Sequence, residues 1–155
     1  LDIRALPAAR RERVLPYIRA WAESAAGMDG EAVFRAASQF HATRVATVAA
    51  TLPYDLVLSP VSPVAAPPAA WASPTDDPLR PLEHIAFTVP FNMSEQPAAS
   101  VPCGMTADGL PVGLQIAGRR FDDLGVLQAA RAWELLRDPL PPWPQPPSEA
   151  VEHVD

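Results

Sequence analysis

Ala99-Ser100-Val101-Pro102-Cys103-Gly104-Met105 leads through Ala107-Asp108-Gly109 into Leu110-Pro111-Val112-Gly113-Leu114-Gln115-Ile116-Ala117. Two strand-like runs flank an Asp-Gly pair, a dipeptide suited to the positive φ angles of tight hairpin turns, so this stretch predicts an antiparallel hairpin. Pro102 and Pro111 lack the N–H that a ladder needs and limit which positions can pair. Gly104 and Gly113 point to a bulge or to close backbone approach. Just downstream, Asp122 is placed to cap a final helix running to Arg137, with Val126, Ala130, Trp133 and Leu136 as its apolar stripe.

Upstream of the hairpin, Tyr54-Asp55-Leu56-Val57-Leu58-Ser59 has the form of a short buried strand. Seven prolines then fall between Ser59 and Leu82. They remove backbone donors and forbid a regular helix, which predicts a long, stiff, mostly extended loop, a type often tied to function. Its Asp76-Asp77 pair reads most simply as solvated charge. His84 to Met93 fits a short helix interrupted by Pro90. Residues 1–53 read as helical: Pro7 suits a first helical position, and Val14, Ile18, Trp21 and Ala25 recur at helical spacing. Pro16 demands a kink or two short helices. Asp29 is a good N-cap for the next helix, whose Phe34, Ala37, His41, Val45, Val48 and Leu52 form one continuous face ending at Pro53. On that face His41 is expected to be a buried, hydrogen-bonded core residue. The chain thus divides into a helical part (1–53), a part with strand, proline loop, short helix, hairpin and helix (54–137), and a proline-rich tail (138–155). The tail is expected to lie over the surface or to be partly disordered. The fold class is α/β, with few strands for its helices.

Bulk properties narrow the partners. The 155 residues suffice for one domain, and their net charge of -6 with scattered cations argues against nucleic acid. No apolar run approaches the roughly 20 residues that span a bilayer. The chain opens Leu1-Asp2-Ile3, without Met or a signal-peptide pattern, which suggests a piece of a longer reading frame or a processed product. One cysteine excludes an internal disulfide and fits a reducing, cytoplasmic compartment. Cys103 itself reads as a small core residue rather than a nucleophile. All 12 cationic residues are arginine, so no mechanism needing a lysine base can be completed inside the chain. His41, His84 and His153 are far apart and lack metal-ligand spacing. Ser59, Ser62, Ser94 and Ser100 lack a nucleophile-elbow context. No cofactor is expected.

Phe87-Thr88-Val89-Pro90-Phe91-Asn92, Pro97-Ala98-Ala99-Ser100-Val101-Pro102-Cys103-Gly104, the Asp108 to Arg119 stretch and Phe121-Asp122-Asp123 occur in that order. Together they closely resemble the C-terminal signature of the amidase-signature family. Tyr54 to Pro60 resembles that family's Y-D-x-L-L-x-P strand, and Ala130-Arg131-Ala132-Trp133-Glu134 resembles its A-R-A-x-E. The resemblance implies the C-terminal part of the amidase-signature fold, with helices packed on a few strands of a mixed β-sheet. It also implies amide hydrolysis of a small-molecule substrate by a Ser–cis-Ser–Lys triad that lies outside this chain. What remains here is scaffold and pocket wall, with Thr88, Phe91, Asn92 and Met93 expected to line the substrate pocket. For Phe87 core packing is preferred, and Asn92 could equally satisfy the backbone of the following turn. Two departures from the family pattern matter. Ile85 stands where glutamine-handling amidotransferases of the A type carry an aspartate for the substrate amino group, which favours a general small-amide hydrolase. Ser94-Glu95-Gln96 replaces a small, glycine-containing turn. Alternative readings are a proline-rich interaction module and part of an amidotransferase A-type subunit. On its own the chain is expected to lack amidase activity, to expose apolar faces and to self-associate.

Overall fold

The structure, a computed structural model, describes residues 3–139 and residue 142. The tail's expected course therefore lies, apart from Asp138, Pro139 and Pro142, outside the described residues, as does His153.

Local signals set the helices. A 3-10 turn (Ile3–Ala5) precedes α1 (Ala8–Arg11), and α2 (Pro16–Ser24) starts with Pro16 in its first turn. Proline is tolerated there because the N–H it lacks would be unpaired anyway, so two short helices form where one would break. The 22-residue α3 (Gly30–Thr51) begins where the Asp29 carboxylate accepts the Ala32 N–H at 2.8 Å. After β1 (Leu56–Pro60) the proline segment runs without regular structure to a 3-10 turn at Glu83–Ile85. Pro90 lies in the first turn of α4 (Val89–Ser94) rather than interrupting it.

β2 (Ala98–Met105) and β3 (Pro111–Gly118) form the expected hairpin. Gly109 takes φ 79, and Thr106 closes the turn, its N–H donating to Leu110 O at 2.7 Å and its Oγ1 accepting the Leu110 N–H at 3.0 Å. The sheet order is β1-β3-β2, and every pairing among the described strands is antiparallel. Pro102 pairs with Gly113 and Gly104 with Val112, so the extra residue of the bulge is Cys103.

Because side chains alternate along a strand, Ile116 and Gly118 share one face of β3 while Gly113 and Gln115 share the other. The first face meets α5 (Asp123–Leu136), whose Asp122 cap accepts the Gly125 N–H at 3.0 Å. Gly118 is glycine because a Cβ there would stand 2.6 Å from Val126 Cγ2, and Ile116, Ala117 and Val126 are almost fully buried. Trp133 Nε1 fastens the other end of α5 by donating to Pro102 O at 2.9 Å.

Four expectations about burial need correction. β1 is an edge strand with Leu56 and Leu58 exposed, not a buried one. His41 is exposed, because α3 is packed by α4 along part of its length while Phe34, at 73% exposure, and Val45 meet little else of the described chain. Phe87 is exposed rather than core. Cys103 is exposed because the bulge takes it out of the strand's alternation.

Phe34, Phe40, Leu58, Leu124 and Leu136 are all exposed, and large apolar side chains at the surface favour association. Purified as it stands, the chain should elute above its 16.6 kDa monomer mass and raise the fluorescence of an apolar-surface dye. A monodisperse monomer that leaves the dye dark would contradict this.

Candidate functional site: a groove between the proline segment and the hairpin

The Gln115 face of the sheet carries the site. Gln115 is only 4% exposed, yet its amide is satisfied: Nε2 donates to Ser59 Oγ and to Phe87 O, both at 2.9 Å. One side chain on the middle strand thus fixes the neighbouring strand and, across the sheet face, the Phe87-Thr88 backbone. Val61 N–H donates to Gly113 O at 3.2 Å, extending the ladder one step beyond β1 and laying the start of the proline segment beside the hairpin. A Cβ at Gly113 would come within 2.8 Å of Val61 Cγ2, so close approach explains that glycine.

A second polar cluster sets α4. Ser94, fully buried, donates its hydroxyl to Gln96 Oε1 at 2.8 Å, and Gln96 Nε2 donates to Gly118 O at 2.8 Å and to Thr51 Oγ1 at 3.2 Å. The ends of α3, α4 and β3 therefore meet on one amide. Between Ser94 and Gln96, Glu95 adopts the left-handed conformation (φ 58, ψ 34) and pairs with Arg44 of α3 at 2.9 Å and with Arg120. This is the geometry that a glycine-containing turn would supply without strain. Here a non-glycine residue holds it, and its carboxylate is tied on both sides.

Between these supports lies a groove of about 760 Å³. The proline segment from Val61 to Pro67 forms one wall, the 84–88 stretch another, and residues of β2, β3 and their turn the third. Of the four residues expected to line a pocket, Thr88 faces this groove. Phe91 is buried at 7% exposure, Asn92 is exposed and Met93 is half-buried, and these three lie outside the lining. Asn92 has no side-chain hydrogen bond among the described residues, so the alternative role in the following turn, which Ser94 and Gln96 fill, does not apply. Sequence reasoning missed His84 and the valine-proline wall as lining. The proline density of 59–82 was the available signal for the wall; its partner across the groove is non-local. Among the described residues no group of three or more His, Cys, Asp or Glu could hold a metal ion, and no helix is long and apolar enough to cross a membrane.

Part of the fold of amidase-signature enzymes matches this chain. Over 83% of its length the chain superposes with TM-score 0.67 on 27% of a bacterial aryl acylamidase of the amidase-signature family, at 25% identity. With 86% of its own length it covers 28% of the A-type subunit of glutamyl-tRNA(Gln) amidotransferase from Thermotoga maritima, at TM-score 0.58 and 33% identity. In sequence it is 48% identical over 84 residues to the corresponding A-type subunit of glutamyl-tRNA(Gln) amidotransferase from Myxococcus xanthus, which is 54% of this chain and 17% of that protein. Residues 3–127 match the Amidase family model, and the chain belongs to that family. It spans about 17% of the length of the curated relatives it matches.

Two substitutions test the supports. Gln115→Leu removes both donations and leaves Phe87 O without its partner; a lost hydrogen bond with a desolvated acceptor costs about 1–2 kcal/mol. Thermal unfolding should shift down by several degrees, and a melting point equal to the parent's would show the amide to be dispensable. At Glu95, Gly relieves left-handed strain of roughly 1 kcal/mol while losing exposed ion pairs worth about 0–1 kcal/mol, whereas Ala loses the pairs and keeps the strain. Chemical denaturation should therefore rank Glu95→Gly above Glu95→Ala.

Proposed function

We propose that this chain is the substrate-side wall and scaffold of an enzyme that hydrolyses carbon–nitrogen amide bonds, with a Ser–cis-Ser–Lys triad contributed from outside these residues. The carrying observation is the groove, which Thr88 and the hairpin close together, both within the segments that resemble the family's C-terminal signature. No lysine occurs in the chain, so the base that starts the serine's proton relay must come from elsewhere in the enzyme. The wall's contribution is positional. A groove held by Gln115 and Gln96 presents the scissile carbonyl to the serine and to the oxyanion donors at fixed distance, which converts binding into rate.

A second reading is an A-type subunit of a glutamine-dependent amidotransferase. The 48% identity to such a protein from Myxococcus xanthus favours it. Against it stands Ile85, which lines the groove where glutamine-handling relatives are expected to present a carboxylate to the substrate's ammonium group. The balance favours a hydrolase of small neutral amides, working in the cytoplasm on its small-molecule substrate.

The expected outcome is a sharp division. This chain by itself turns over no amide above a contaminant control, whereas the full-length enzyme that contains it hydrolyses simple aliphatic or aryl amides and loses at least about a thousandfold in kcat when its triad lysine becomes alanine. Turnover by the isolated chain would refute the assignment of the triad. Glutaminase activity that appears only with a second protein bound would favour the amidotransferase reading instead.

A further inference from the structure

The groove's chemistry narrows the substrate further, on the reading of this chain as an amidase wall. None of the residues lining it is Asp, Glu, Lys or Arg. Of its four hydroxyl side chains, three are engaged by their own local backbone, and Ser100 is the exception. Thr88 Oγ1 donates to Ile85 O at 3.2 Å, Thr106 Oγ1 accepts the Leu110 N–H at 3.0 Å, and Ser62 Oγ donates to Val64 O at 2.8 Å. The one ionisable side chain in the lining is His84, whose Nδ1 is buried and without a hydrogen-bond partner. Glu83, next to His84 in sequence, is paired with Arg80. Apart from Ser100 and His84, what the side chains of the walls present is chiefly carbon, from Val61, Val64, Pro67, Ile85, Val101 and Val112.

We infer that this groove receives an uncharged, apolar substituent of the amide substrate, an alkyl chain or aromatic ring, and rejects one that carries an ammonium group. An ammonium group entering it would shed water and find no carboxylate in the lining, whereas a methylene or phenyl group gains by leaving water. The volume of about 760 Å³ lies within the range of small-molecule sites and exceeds what a two-carbon acyl group fills. Ile85 and Val112 are then the specificity residues: Ile85 through the absence of charge, Val112 through the room beside the hairpin.

The test uses the full-length enzyme and a matched pair, hexanamide and 6-aminohexanamide, which differ by one terminal ammonium group. The expected kcat/KM favours hexanamide by at least tenfold. Ile85→Asp should shrink or reverse that ratio by a further tenfold or more. Val112→Phe should reduce kcat/KM by a factor that grows with acyl length, larger for hexanamide than for propionamide. Equal or better use of 6-aminohexanamide overturns the inference, as does a Val112→Phe loss that is the same for every chain length. If Ile85→Asp lowers the melting temperature without re-ranking the amides, the groove is filled by protein rather than substrate, which also overturns it. An enzyme that hydrolyses neither amide, nor any aryl amide, removes the underlying amidase reading. Hydrolysis with the wrong ranking removes only the inference about the groove.

Discussion

The buried amide of Gln115 is the constraint on which the site depends. A polar side chain at the centre of a three-stranded sheet is costly unless both its N–H groups are used. Ser59 and Phe87 O use them. That requirement couples two things that backbone pairing alone leaves independent. One is the register of β1 against β3. The other is the height of the Phe87-Thr88 backbone above the sheet. Slipping β1 by one residue would turn Ser59 to the opposite face and leave the amide half-satisfied, so the hydrogen bond selects the register that also builds the groove.

Gln96 plays the corresponding role at the other end of α4. It gathers Thr51, Ser94 and Gly118 onto one side chain. α4 is only six residues long and has little helical stability of its own. Its orientation, with Phe91 inward and Thr88 toward the groove, follows from being pinned at both ends by glutamines. The surrounding ion pairs of Glu95 are exposed and contribute less than this buried network.

Local chemistry made much of the fold readable. Asp29 and Asp122 mark helix starts because a carboxylate satisfies free backbone N–H groups. Pro16 marks a break, and Asp108-Gly109 marks a turn that needs positive φ. The α/β arrangement and the family membership were legible from the same segments. Periodicity was less informative about burial. The stripe from Phe34 to Leu52 says which face of α3 is apolar, not what reaches it, and along much of that face nothing in the described chain does. Cys103 misled because strand alternation assumes an unbroken ladder, and one inserted residue resets it. Of the side chains singled out in the sequence as pocket-lining, Thr88 is the one that falls in the candidate groove. The walls opposite come from Val61 to Pro67, about 20 or more residues away, and no local pattern reports a contact over that distance.

The bulge has a practical side. It leaves the chain's lone thiol at the surface, one residue beyond Pro102, the carbonyl that holds the indole of Trp133. A maleimide-linked fluorophore would attach at that single position and sit beside a natural quencher carried by α5. Separation of the last helix from the sheet could then be followed in real time as a change in emission, with no engineered cysteine and no competing lysine amines.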